Sequence, residues 1–578
     1  MRFLRMLTNS MLAGALGAAY LTILLLQLNP QVPLLSMSVV RWYATLGAFY
    51  GIHLALLFYV AMLVREFVSL DMFSPGWISV RLLAWLSAAA AAAAAVLMWL
   101  NLRGLPSVLD AAAARRFTVG AGATSASALV LLGIAIAHYS FGRRGSKVGA
   151  ALLAIAITGS LALPLAARGL GREMAPLAPR APQESAAVDE EGPRVVMLLL
   201  DGASLDYIWP RAAEGRLPNF ARLLDAGASL DLATIRPTQP DPVWAAVATG
   251  MYPAKNGVRS AASYFAGGDA RPIDLLPDDC FSHVLVQLGI VRDEPLSSAA
   301  WKARPIWAVL GDYGISTGVV RWPLTYPAEP VSGFLVTDRF HSLFGSMLEI
   351  DGRAAYPPEL QPVVHDAFAA GPWGPDVLPA AAAGAPSWSV SPRWDQLYSR
   401  AMRDLLVERP VRFAALRYQG LDAVGHYYLR YAQPRALTDV TDEERQRYGA
   451  ALDRYYGYID GEVGAAMDRL APGDLLFVVS GFGIQPVGPL KHLLGRLLRQ
   501  PDASGTHDRA PDGFLLAYGA PVAAGHYQRG SIVDVAPTIL YFLGLPIGRD
   551  MDGYARADIF TRAFTAERPI TFIPSHGR

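Results

Sequence analysis

Hydrophobic positions fall into two regimes along the chain. Up to about residue 170 they form long unbroken runs; beyond residue 194 they form short runs that alternate with amphipathic stretches. Five long runs, near 11–28, 43–64, 82–100, 118–138 and 148–167, reach the roughly 20 residues a helix needs to cross a bilayer. The basic start Met1–Met6 resembles that of a signal peptide, but four further spans and no small-x-small cleavage site point to an uncleaved anchor. With the N-terminus inside, Arg2, Arg5, Arg65, Arg143, Arg144 and Lys147 are cytoplasmic, and Arg41, Arg103, Arg115 and Arg116 lie outside. The excess of basic residues follows the positive-inside rule. The remainder of the chain is then expected to be periplasmic or extracellular. His53 has no acidic residue in its own span and reads as a packed or interfacial side chain, and Ala88–Ala95 as a close-packing helix face.

Residues 173–193 are rich in Pro, Ala and acids and read as an extended linker between a membrane region, 1–172, and a soluble domain, 194–563. Within that domain Val195–Leu200 is a continuous apolar run ending at Asp201-Gly202, and Leu475–Ser480 another ending at Gly481. Gly318–Arg321, Phe334–Thr337, Phe413–Tyr418 and Phe514–Tyr518 are further strand candidates, with helices at Leu217–Ala226 and Ala450–Leu470 between them. Strands apolar on both faces are covered on both sides, so an α/β/α sandwich is predicted behind an all-α transmembrane bundle of about five helices. Ligands of such folds bind at the carboxyl ends of the strands, where Asp201 and the Gly481–Gly483 turn lie. Residues 262–400 follow this rhythm less well and read as an inserted cap beside the active face, with Trp307–Asp338 returning to the sheet.

Composition sharpens the division. The 578 residues are 53% hydrophobic and only 17% charged, against roughly 25% charged in soluble domains. The net charge of +1 gives no electrostatic case for nucleic acid. The single cysteine, Cys280, excludes an internal disulfide and a multi-cysteine metal site, and its apolar-acidic surroundings suit a packed side chain.

Candidate chemistry comes from a few side chains. Asp422 and His426 are spaced i, i+4, which puts both on one face of a helix and lets them chelate one cation. His507, in Gly505-Thr506-His507, and Asp201 complete a mixed nitrogen and oxygen set of the kind zinc accepts. In the proline-fixed loop Arg236–Trp244, the Thr238 hydroxyl precedes a helix start, where an anion is favoured, and it is the candidate nucleophile. A capping threonine in a Pro-rich loop is the alternative.

The blocks LLLDGASLDYI, GRLPNFARLLDAGA, ATGMYPAKNGV, GVVRWPLTYPAEPVSGFLV, RYQGLDAVGHYYLRY, GTHDRAPDGFLLAYG and SIVDVAPTILYFLGLPIGRDMDG occur in this order over most of 194–560. Together they resemble the type I phosphodiesterase/nucleotide pyrophosphatase family of the alkaline phosphatase superfamily. The resemblance implies an alkaline-phosphatase-like fold and a metal-dependent hydrolase acting on phosphodiesters or phosphomonoesters through a covalent phospho-threonine. It implies two divalent ions, zinc first and manganese or calcium as alternatives. Asp422, His426 and His507 match the ligands of one ion, Asp201 matches a ligand of the other, and Thr238 is the match to the nucleophile. The usual hydroxyl position relative to Gly250 falls at Pro240, and Asp241 is the accessory alternative as nucleophile or ligand. Where the family has Ser-Asp-His-Gly, this chain reads Ser480-Gly481-Phe482-Gly483, without two ligands of the second ion. Asp206, Asp241 and His492 are the possible substitutes. Two other readings stand beside the hydrolase: a catalytically degenerate binding or scaffold member, and a phosphoethanolamine-type headgroup transferase acting on an envelope lipid or glycan. The last rests on shared layout alone.

Overall fold

The computed structural model describes residues 2–68, 79–140, 147–171, 191–280, 282–343, 353–369, 391–433, 440–488, 504–509 and 511–577. All but 191–193 of the expected linker, and Arg143, Arg144, Ala380–Ala383 and His492, lie outside the described residues. Two compact units result: Met1–Ala178 with Ala262–Pro295, and Pro179–Ala261 with Leu296–Arg578.

The strands are β1 (Val195–Leu200), β2 (Ala228–Ala233), β3 (Ala262–Phe265), β4 (Arg292–Pro295), β5 (Thr317–Val320), β6 (Gly333–Val336) and β7 (Ala355–Tyr356). They continue with β8 (Phe413–Tyr418), β9 (Leu475–Phe482), β10 (Gln485–Pro486), β11 (Gly505–Thr506), β12 (Asp512–Tyr518) and β13 (Gly525–His526). In the second unit the main sheet runs β13–β2–β12–β9–β1–β8–β5–β6–β7. Its centre is parallel, with Val195 beside Phe413 and Leu475, and β12 pairs antiparallel with β9. The apolar runs form central strands because both faces are covered. Leu198, Leu200, Leu416, Leu476 and Val478 pack with Leu421, Val424, Tyr455 and Ile459 from the helices of one face. On the other face Trp244 of the helix Pro240–Thr249 reaches Asp201, and Val243 packs on Gly481. Complete burial of each Leu or Val contributes ~1.5–3 kcal/mol, so a charge in β1 or β9 would be costly without a partner. The predicted sandwich is thereby present, and Thr317–Val336 does return to the sheet.

The first unit holds helices α1 (Arg2–Leu28), α2 (Met37–Leu46), α3 (Ile52–Val68), α4 (Val80–Gly104), α5 (Ala111–Ser140) and α6 (Lys147–Arg168). A π-helical turn, Gly47–Gly51, joins α2 and α3. The described residues therefore contain five helices long and apolar enough to span a membrane: Phe3–Leu28, Met37–Val64, Val80–Gly104, Ala111–His138 and Lys147–Arg168. The first is the central helix, since 78% of its apolar window is buried against 17% for the second. The two cross at glycines: a Cβ on Gly14 would sit 2.2 Å from the Gly51 carbonyl oxygen. Small residues let helix backbones approach this closely. The carbonyls ending α1 lack helical partners. Buried Arg168 supplies them, donating from Nε to Leu26 O (2.6 Å) and from Nη2 to Asn29 O (3.0 Å). His53 faces outward and donates through Nδ1 to the Phe49 carbonyl of the preceding π-helical turn at 2.7 Å.

The segment 262–295 belongs to this unit. Its strands β3 and β4 pair antiparallel, and Tyr264, Ile273 and Leu285 share a core with Leu21, Leu25 and Trp42. Two buried asparagines hold it. Asn29 donates to Leu275 O (2.8 Å) and accepts from the Asp274 and Leu275 amides (3.1 Å each). Asn101 donates to Asp278 O (2.9 Å) and accepts from its amide (2.8 Å). Arg41 pairs with Asp269 at 3.1 Å.

Candidate active site

The helix Gly420–Ala432 follows the end of β8 at Tyr418 after a single residue, Gln419. Its own N-cap side chain makes no capping bond. Fully buried Asp395, from the neighbouring helix Ser391–Glu408, does this instead, accepting from the amides of Gln419 (3.1 Å) and Gly420 (2.8 Å). Arg321 and the Tyr455 hydroxyl hold the same carboxylate. The first turn is thus fixed by a charge-assisted cap before any ligand is considered. Leu421, Val424, Gly425 and Leu429 form the buried stripe, which places Asp422 and His426 together on the adjoining face. Gly202, directly after β1, has φ +71°, and a Cβ there would lie 3.0 Å from Asp422 Cα. Glycine is needed there for conformation and for space, and the strand end abuts the helix because of it.

Asp422, His426 and His507 converge, with one ligand atom from each lying within 4.8 Å of the others. Asp422 Oδ1 is 2.6 Å from His507 Nε2 and 3.4 Å from His426 Nε2. Each imidazole is tied from behind: His507 Nδ1 to Gly483 O at 2.9 Å, and His426 Nδ1 to Gly505 O at 2.8 Å. A carbonyl only accepts, so both Nδ1 atoms carry the proton and both Nε2 atoms face Asp422. That is the arrangement metal-ligating histidines adopt. Burial disfavours the charged Asp422, but the hydrogen bond and charge of His507 outweigh it and lower its pKa. Burial likewise opposes the His507 cation, and Asp422 reverses the balance and raises its pKa. Two imidazoles and a carboxylate suit zinc, and they leave a fourth position for an oxygen of substrate or water.

Asp201, at the end of β1, faces different company. Arg417 of β8 donates from Nε to both carboxylate oxygens (3.0 and 3.1 Å) and from Nη2 to Oδ2 (2.5 Å). Trp244 Nε1 donates to Oδ1 at 2.7 Å. Burial pushes the Asp201 pKa up and the guanidinium pulls against it. Burial alone would discharge Arg417, but Asp201 keeps it protonated, with Asp241 and Asp338 adding to the effect. Gly481 offers no ligand, and a Cβ there would come within 2.3 Å of Val243 Cγ1. Phe482 is fully buried, its ring 4.7 Å from that of His507, so it props the imidazole where a ligand would stand in relatives. The residues present fit one divalent ion at the trio and do not fit a second at Asp201.

The Thr238 hydroxyl donates to the Ile235 carbonyl at 3.0 Å, two residues before the helix Pro240–Thr249. Asp241 occupies the first turn of that helix, and burial pushes its carboxyl up to about 6 against the opposing charge of Arg417. Asp206 is exposed and lines a cleft of about 210 Å³ with Gly202, Ser204, Leu421, Ile484 and Gln485. None of the trio lines that cleft. Sequence reasoning missed Arg417. Its signal is an arginine inside a strand otherwise apolar on both faces, which demands a buried anion nearby.

Among solved structures the chain is similar to murine ectonucleotide pyrophosphatase/phosphodiesterase 5, an inactive variant in complex with AMP, at 12% identity and a TM-score of 0.39, covering 64% of this chain and 100% of that one. The human protein of the same name gives 12% identity and 0.38 over the same shares. No curated protein sequence matches the chain. The family model for type I phosphodiesterase/nucleotide pyrophosphatase matches residues 195–535, more than half of the chain. The chain therefore belongs to the type I phosphodiesterase/nucleotide pyrophosphatase family, phosphoester hydrolases of the alkaline phosphatase superfamily.

Proposed function

We propose that the protein is a membrane-anchored phosphoester hydrolase that works with a single divalent ion, zinc first, at Asp422, His426 and His507. The carrying observation is the convergence of both Nε2 atoms on one carboxylate, each imidazole locked through Nδ1 to a backbone carbonyl. Such an ion, when bound, withdraws charge from a phosphoryl oxygen. The chain's own residues do the rest. Gly483 and Gly505 carbonyls fix the imidazole tautomers, and the Asp395 cap fixes the helix that carries two of the ligands. Thr238 is the proposed nucleophile: its Oγ bonds to phosphorus as the ester oxygen leaves, and water then breaks the Oγ–phosphorus bond. Asp241 is the accessory carboxylate of the same loop.

The proposed placement is N-terminus inside, with the hydrolase unit periplasmic or extracellular. It is supported by the basic-residue bias and by the packing of 262–295 against Asn29 and Asn101, which close α1 and α4. A lipid headgroup or an envelope glycan is then among the accessible phosphate esters, and transfer to such an acceptor is the variant of this reading. The test is hydrolysis of bis(p-nitrophenyl) phosphate by the detergent-solubilised full chain after reloading with zinc, manganese or calcium. Activity with at least one metal, lost on chelation and in His426→Ala, is expected; no activity with any metal overturns the reading. Retained activity in Thr238→Ala would remove the phospho-threonine step alone. A second reading, a non-catalytic binding member, is favoured by Gly481 and Phe482. It is distinguished by tight zinc binding without turnover.

A further inference from the structure

The family resemblance calls for a second ion beside Asp201, and this chain gives that ion nothing to bind. Both Asp201 oxygens are engaged, by Arg417 and Trp244. Gly481 cannot be enlarged without displacing Val243, and Phe482 is apolar and buried. What stands at this strand end is a cation that cannot dissociate. Arg417 is 5% exposed, and Nε and Nη2 are spent on Asp201. Its Nη1 donates no hydrogen bond among the described residues, and the side chain keeps 6% exposure. A buried guanidinium with Nε and Nη2 closed on a carboxylate and both Nη1 hydrogens unspent is built to take a second anion. Asp201 adjoins Gly202, which packs on Asp422 itself, so the guanidinium and the trio bracket one strand end.

We propose that Arg417 is the second cation of the site: the protein binds one divalent ion, at Asp422, His426 and His507, and Nη1 of Arg417 holds a phosphoryl oxygen of the substrate. The inference rests on the reading of the site as a one-metal phosphoester hydrolase. The exchange has a chemical consequence. A guanidinium contributes one positive charge where a divalent ion contributes two, and it offers directional hydrogen bonds in place of an exchangeable coordination sphere. Carboxylates surround it: Asp201 is hydrogen-bonded to it, Asp241 and Asp338 lie within its field, and Arg339 acts on Asp241 in the opposite sense. Binding therefore relies on hydrogen-bond geometry more than on net charge. Lysine, with a single point charge drawn to Asp201, would not reproduce it.

The experiment uses the full chain in detergent. Metal is removed, zinc alone is titrated back and counted by elemental analysis, and inorganic phosphate binding to the zinc-loaded protein is then measured by calorimetry. Wild type is expected to hold one zinc per chain. Arg417→Lys and the paired change Asp201→Asn with Arg417→Gln are expected to keep that zinc and to bind phosphate at least tenfold more weakly. The paired change avoids leaving Asp201 buried without its partner, and the retained zinc reports that the unit is folded. Two zinc ions per wild-type chain, or phosphate affinity unchanged in the paired variant, overturn the proposal. No zinc in wild type overturns the trio as a metal centre and the proposal with it, so failure of the underlying reading is seen separately.

Discussion

The two halves of the site meet at the end of β1 and are built on opposite logic. At Asp422, His426 and His507, two imidazoles are each held from behind by a backbone carbonyl and turn their Nε2 atoms toward one carboxylate, which His507 already hydrogen-bonds. At Asp201, at the end of β1, the carboxylate is closed off by Arg417 and Trp244. The first half is an open set of valences and the second a finished ion pair. The difference teaches that a buried carboxylate at the head of a parallel sheet does not by itself make a metal site. What decides is whether neighbouring donors leave its lone pairs free.

The largest expected effect breaks the open half. Asp422→Ala removes the carboxylate that both imidazoles share, so zinc content should fall to near zero and diester hydrolysis by ~10³-fold or more, read by elemental analysis and initial rates. Attempting to open the closed half should fail in a measurable way. Gly481→Asp with Phe482→His restores the family's residue types, yet the new Cβ meets Val243. Zinc is expected to stay at one per chain while stability drops by about 3 kcal/mol, at the upper end of overpacking costs, followed by denaturant unfolding.

Asp241 gives a pH-dependent test of the closed half. Its folded pKa, about 6, lies above that of a free carboxyl. Its contribution to stability is therefore complete below about pH 4 and is lost as pH rises through about 6. Asp241→Asn should then be more stable than wild type at pH 7.5 by ~2 kcal/mol and indistinguishable near pH 4, as read from Tm of the metal-free protein. A Tm difference independent of pH would show that the carboxyl is not titrating in this window. The smallest effect sharpens the separation of the halves. Trp244→Phe deletes one hydrogen bond to Asp201, costing about 1.5 kcal/mol, and zinc affinity should be unchanged.

The open half was legible because its residue types carry chemistry and its spacing carries geometry. Asp422 and His426 sit one helical turn apart. The five spans were legible from composition, because a bilayer needs length and apolarity and little else. The closed half was not. Arg417 and Asp201 are 216 positions apart, and nothing local in Phe413–Tyr418 says where an anion will be found. The clamp on 262–295 was hidden for the same reason. Nothing local marks Asn29 or Asn101, and their backbone partners lie 246 and 177 positions downstream.

The position of β1 has a consequence for synthesis. Val195 must lie between Phe413 and Leu475, and both neighbours are made long after it. The ribosome adds roughly 5–20 residues per second, so β1 waits on the order of tens of seconds for its second flank. During that interval the apolar run Val195–Leu200 has an unpaired edge, the kind of surface that seeds aggregation. The apolar helices precede it and are complete while it waits. A nascent chain halted before Leu475 should therefore be protease-sensitive in β1 and dependent on chaperones. Release of the next few dozen residues should end that dependence abruptly.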